Sequence, residues 1–259
     1  MAYMIRSENI SESNFEELLS ATAVLREDVA RQDEALADIE VLREFAMEKG
    51  MFDEAVQCFL EEALIWQHKY MESGKDEFLK KMEEIVVKAS EFIKENRLQP
   101  WESRIARFLG RVADYQKKYS VAESYYQEAI DKAPSDPKYA KNQALIYEYI
   151  GFKILDEIRL GKVDEGIDEA EGLYGDYLFS EEGGALRQRD YSTWAIWRSG
   201  LLINLCRTLI DLDLTEKYKA DILGWLEKAE QDLKAPEGVE VWTDFSFRKN
   251  EISEVRETL

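Results

Sequence analysis

Three arginines, Arg104, Arg107 and Arg111, recur at spacings of three and four, which on a helix places three guanidinium groups on one face. A guanidinium grips a carboxylate or phosphate through two parallel hydrogen bonds, so the spacing predicts recognition of an acidic or phosphorylated segment. The opposing reading is that these arginines pair with nearby acids such as Glu102 and Asp114 and merely solvate the helix. Lys138, Lys141 and Asn142 form a second polar group farther along the chain. Tyr115 and Tyr149 each combine a broad apolar face with a hydroxyl that can stay wet, which suits either a groove or an interface between helices. These eight residues are the candidate partner-binding set.

Residues for catalysis are scarce. His68 is the sole histidine, which excludes paired-histidine zinc motifs, and Ile65 three positions before it excludes the Glu-x-x-His element of carboxylate-bridged di-iron bundles. A catalytic triad would need His68 as its base, yet it sits between Trp66 and Tyr70 in an aromatic segment and reads as packing or surface. No Gly-rich phosphate loop is present, and acid pairs such as Asp211 with Asp213 or Glu181 with Glu182 lack the spaced oxygen ligands of an EF-hand. The expectation is therefore a protein that is not an enzyme, with no cofactor and no metal. Cys58 and Cys206 lie far apart among apolar neighbours and read as buried reduced thiols.

The elements that must position these residues are helical. Only Pro100, Pro134, Pro137 and Pro236 interrupt 259 residues, and runs rich in Glu, Lys, Ala and Leu leave long stretches free to coil. The 45% apolar content suffices for a sizeable core, and no apolar run is long enough to span a bilayer. The first residues lack the pattern of a secretory signal, so a cytoplasmic location is expected. With 54 acidic and 34 basic residues the formal charge is −20, which opposes nucleic acid and anionic membranes as partners.

Along the chain, Ser11 or Ser13 is placed to cap a first helix reaching about Arg31. A second helix from near Asp33 ends at Gly50, and Phe52 begins its partner, which runs long until Ser73-Gly74. A helix at about 75–96 carries Phe78, Met82, Ile85, Val86, Ala89 and Phe92 on one face and has no assignable partner. Lys138 to about Leu160 reads as one long helix ended by Gly161, and Ser180 to Gly184 (SEEGG) as a flexible surface connection. Tyr191–Leu212 and Thr215–Leu233 form a last hairpin, with Trp194 and Trp197 assigned to the core. Beyond Pro236 and Gly238, the segment with Trp242, Phe245 and Phe247 is either extended or packed across the last helices.

Between Arg104 and Pro137, Gly110 is followed by Ala122, Tyr126, Ala129 and Pro134 at offsets that resemble a tetratricopeptide repeat. Gly50–Phe59 (GMFDEAVQCF) is similar to the turn and second helix of such a unit, with Ala55 and Phe59 at the small and aromatic positions. Gly161–Tyr174 and Ile222, Leu226 and Ala229 of the last hairpin are divergent matches, with Gly166 and Ala170 at the repeat offsets of the former. The resemblance implies an all-α, right-handed α-α superhelix over 1–259. Its parts would be an N-terminal cap at 1–32, repeats at 33–179, a last hairpin at 185–235 and an irregular tail at 236–259. It also implies a non-catalytic scaffold that holds a peptide or protein segment in its concave groove, lined by the first helix of each pair. By that resemblance Arg104, Arg107 and Arg111 point into the groove, with Lys138, Lys141 and Asn142 at the early positions of the next first helix. Two other functions fit the same architecture: an oligomerisation subunit of a larger assembly, and a peptide-responsive regulatory sensor.

Overall fold

The computed structural model describes Ile5 and residues 7–259, and the part of the expected cap at residues 1–4 and 6 lies outside them. Among the described residues there are thirteen α-helices and no strand, so the fold is all-α. No helix among these residues is long and apolar enough to cross a membrane. Packing divides the chain into two compact units, Met1–Gln116 and Lys117–Leu259, where the sequence reads as one array.

The first unit contains α1 (Phe15–Arg26), α2 (Gln32–Glu48), α3 (Phe52–Ser73), α4 (Asp76–Glu95) and α5 (Glu102–Tyr115). α1 is shorter than expected and neither serine caps it. The N-cap position is Asn14, whose side-chain oxygen instead accepts from the Ser11 amide at 2.7 Å and ties down the preceding turn. Gly50 closes the α2–α3 turn in the left-handed region, with Ala55 and Phe59 buried as their offsets require. α4, without a partner in the sequence reading, packs on both α3 and α5. Its buried stripe is Leu79, Met82, Ile85, Val86, Ala89 and Ile93. Phe78 and Phe92 lie at its margins, where Phe78 stacks on Trp66 and Phe92 packs against Phe52 and Phe59.

The second unit contains α6 (Tyr119–Lys132), α7 (Pro137–Lys141), α8 (Leu145–Arg159), α9 (Val163–Phe179), α10 (Glu181–Arg189), α11 (Tyr191–Asp211), α12 (Thr215–Asp232) and α13 (Ser246–Glu257). Two expectations are corrected here, and the alternative left open for the tail is decided in favour of packing. The long helix from Lys138 is broken in two, because Asp136 caps a five-residue turn headed by Pro137, and Asn142 then leaves helical geometry at φ −150°. The SEEGG stretch is the start of α10, with the Ser180 hydroxyl accepting from the Gly183 amide at 3.0 Å. A Cβ on Gly183 would lie 2.5 Å from the Asp176 carbonyl oxygen, so this glycine serves close backbone approach and not flexibility. The tail ends in α13, where Phe245 is buried while Trp242 and Phe247 stay exposed.

One turn recurs. After α2, α4, α8 and α11 the chain places a left-handed residue (Gly50, Arg97, Gly161, Asp213). The next amide then reaches back five residues: Met51 to Ala46, Leu98 to Ile93, Lys162 to Glu157 and Leu214 to Leu209, at 2.8–3.0 Å. This is the Schellman closure of a helix C-terminus. Lys117, after α5, has the same positive φ.

Candidate functional site

The predicted arginines lie on α5 of the first unit and are largely enclosed. Arg107 and Arg111 are 8% and 9% exposed. Trp101, Phe108 and Tyr115 follow one another at intervals of seven, and each guanidinium lies over a ring of that stripe: Arg104 over Trp101 at 4.4 Å, Arg107 over Phe108 at 4.7 Å and Arg111 over Tyr115 at 4.4 Å. Arg111 also donates to Asp114 Oδ2 and to the Tyr115 hydroxyl, and Tyr115 packs edge-on against Tyr70. Burial raises the Tyr115 phenol above its ordinary value. On this face the guanidiniums are absorbed by rings and by a carboxylate of their own helix.

The remaining candidates belong to the second unit. Lys138 and Lys141 are exposed on the short α7, and the Lys141 carbonyl accepts from Arg189 at 2.5 Å. Asn142 is half-buried at the break before α8. Tyr149 is a core residue at 2% exposure, so its ring packs within the unit and offers no surface to a ligand. His68 is half-buried on α3. Burial pushes both thiols, Cys58 and Cys206, up to about 12, as expected for inert core cysteines.

The second unit brings together a different constellation. α8 and α11, each the first helix of a hairpin, pack on one another, and a recess of about 40 Å³ opens beside them. Tyr147, Glu148 and Phe152 of α8 and Trp197 and Asn204 of α11 line it, together with Tyr177 of α9 and Arg248 of α13. Tyr147 is fixed edge-on against Tyr177 and donates to Ser180 Oγ at 2.9 Å. Gly151 and Gly200 thin the facing helices. A Cβ on Gly200 would stand 2.8 Å from Arg248 Nη2, so the guanidinium lies directly against this glycine and would have to shift for a larger residue.

α13 is seated on α11 and α12 through Phe245, Ile252 and Val255, and by a buried carboxylate. Glu251 accepts from Arg207 at 2.5 Å and from Arg248. Burial alone would raise its pKa, but Arg248 and Arg207 outweigh it and hold the carboxyl below its ordinary value. Sequence reasoning overlooked Gly200, Asn204, Arg248 and Glu251. The 248/251/252/255 spacing is a helical signal, hidden by an aromatic-rich stretch that reads equally as extended.

No protein-family model matches the chain, and no curated protein matches it. A crystal structure of BtubC (BKLC) from P. vanneervenii is similar at 15% identity, over 88% of this chain and 96% of that one, with a TM-score of 0.39. A likeness this slight transfers neither architecture nor role.

Proposed function

We propose that this chain is a non-catalytic, tetratricopeptide-like interaction scaffold that holds a peptide or protein segment against the paired first helices α8 and α11. The reading is carried by the recess beside the paired α8 and α11, which is lined by a side chain from elsewhere in the chain, Arg248 of α13. Repeated Schellman turns and small contact residues support the repeat-like character. Gly166 belongs to this set, since a Cβ there would overlap Ile158 of the preceding helix. The recess holds about one water molecule, far below the several hundred Å³ of a small-ligand site, which favours a macromolecular segment over a substrate. Because Arg107 and Arg111 are engaged in packing, the proposed surface is on the second unit and not on α5.

Peptides selected from a displayed library on the wild-type chain test this. Asn204→Arg, a change at a half-buried position of the recess wall, is expected to weaken the selected peptides at least tenfold with the fold retained by circular dichroism. Unaltered affinity would move the interface elsewhere. A second reading, a subunit of a larger assembly, is favoured by Phe179, which is 82% exposed at the end of α9, and by Trp242 at 60%. Mass that rises with concentration, and ceases to do so in Phe179→Ser, would support it.

A further inference from the structure

The C-terminal helix is an incomplete occupant of its seat. Arg248 donates through Nη1 to Glu251, but its Nε is buried with no hydrogen-bond partner, and a recess is left beside it. A buried donor without an acceptor weakens the state that contains it. Only three apolar side chains, Phe245, Ile252 and Val255, are fully buried from a segment whose helix is 12 residues long, a small anchor for so many ordered residues. The connection from α12, residues 233–245, has no helix, and Val239, Val241 and Trp242 on it are exposed, with Trp242 donating from its backbone amide to Ser192 and from its indole to Asp190. Segments joined in this way are the ones that open locally while the core stays folded.

We propose that α13 is a built-in competitor. Its seat on α11 and α12, with the recess toward α8, is the docking surface for an amphipathic helix of a partner protein, and α13 must leave before that helix binds. This rests on the scaffold reading above and adds the partner's chemistry. The partner presents an arginine at one position, a glutamate three residues on, and aliphatic side chains four and seven residues on, as Arg248, Glu251, Ile252 and Val255 do. The glutamate meets Arg207, the arginine enters over Gly200, and a better-filling partner satisfies the donor that α13 leaves unpaired. The apparent affinity of such a partner is set by the fraction of molecules in which α13 is open.

The probe is a labelled synthetic peptide of residues 243–259, added to the 259-residue chain and to its Arg248→Ala variant. Hydrogen exchange of the wild type is expected to show the amides of 246–257 opening while those of α11 remain protected. Arg248→Ala also removes the charge-assisted bond to Glu251, a larger loss than the relief of one unpaired donor, so it speeds that opening and tightens peptide binding about tenfold, and a peptide lacking its own arginine or glutamate loses the gain. Amides of α13 that exchange only together with α11 overturn the proposal, as does a peptide that binds both proteins equally. A peptide that binds neither protein while α13 opens overturns it too. The two readings separate cleanly. If α13 stays closed while selected peptides still depend on Asn204, the groove stands and the displaceable helix falls. If α13 opens and the synthetic peptide binds while Asn204→Arg changes nothing, the seat stands without the groove.

Discussion

Two enclosed carboxylates show how the number of partners decides protonation at the scale of single residues. Asp232 accepts from Arg198 and from the Tyr174 hydroxyl, yet burial dominates and lifts it to about 6 from an ordinary 3.8. Glu251 is as enclosed, but two guanidiniums reverse the direction. A raised carboxyl pKa means that the folded chain binds the proton more tightly than the unfolded one. The contribution of Asp232 is thus fully present below about 3.8 and is lost as the pH rises through about 6. Across that window the wild type should lose, relative to Asp232→Asn, stability on the order of 3 kcal/mol. Urea denaturation of both proteins at several pH values checks this, and parallel pH profiles would contradict it. Glu251 carries the opposite sign: its contribution is present above the ordinary glutamate range and fades as the pH falls, which would release α13 in acid.

Helix ends matter most at the scale of elements. Gly50, Gly74 and Gly161 announce their turns in the sequence, because glycine reaches positive φ without a steric cost. Arg97, Lys117 and Asp213 adopt the same left-handed backbone with a Cβ present, which costs about 1–2 kcal/mol, so nothing in their side chains reveals the turn. Asp213→Gly, by relieving that cost against the greater freedom of glycine in the unfolded chain, is expected to stabilise the protein by about 0.5–1 kcal/mol. Gly161→Ala, at φ +104°, should destabilise by a similar or larger amount. Thermal midpoints of the two variants check the pair, and a drop for Asp213→Gly would mean that the aspartate has a role beyond the turn. The same reasoning explains why SEEGG misled: a glycine can signal flexibility or close backbone approach, and Gly183 is used for approach.

At the scale of the whole molecule, a charge of −20 acts on every helix face. Self-repulsion of that size destabilises compact states and is screened by salt, with a Debye length that falls from about 30 Å at 0.01 M to about 8 Å at 0.15 M. The thermal midpoint is therefore expected to rise over that range. A fall would show that ion pairs such as Arg256–Glu230 outweigh the general repulsion. The sequence by itself determined the all-α class, most of the hairpins with their turn glycines, and the inert cysteines. Each of these follows from propensity and from apolar spacing within one or two helices, where neighbours in space are neighbours in the chain. The pairing of Arg111 with Asp114 was open to sequence reading, since the two stand three residues apart on one helix, and only the tertiary structure decided that Arg107 and Arg111 are buried. It alone placed Tyr149 in the core and brought Arg248 over Gly200, 48 residues away in the chain. Which face of a helix is left to solvent depends on what packs against it from distant sequence, and spacing along a single helix does not contain that information.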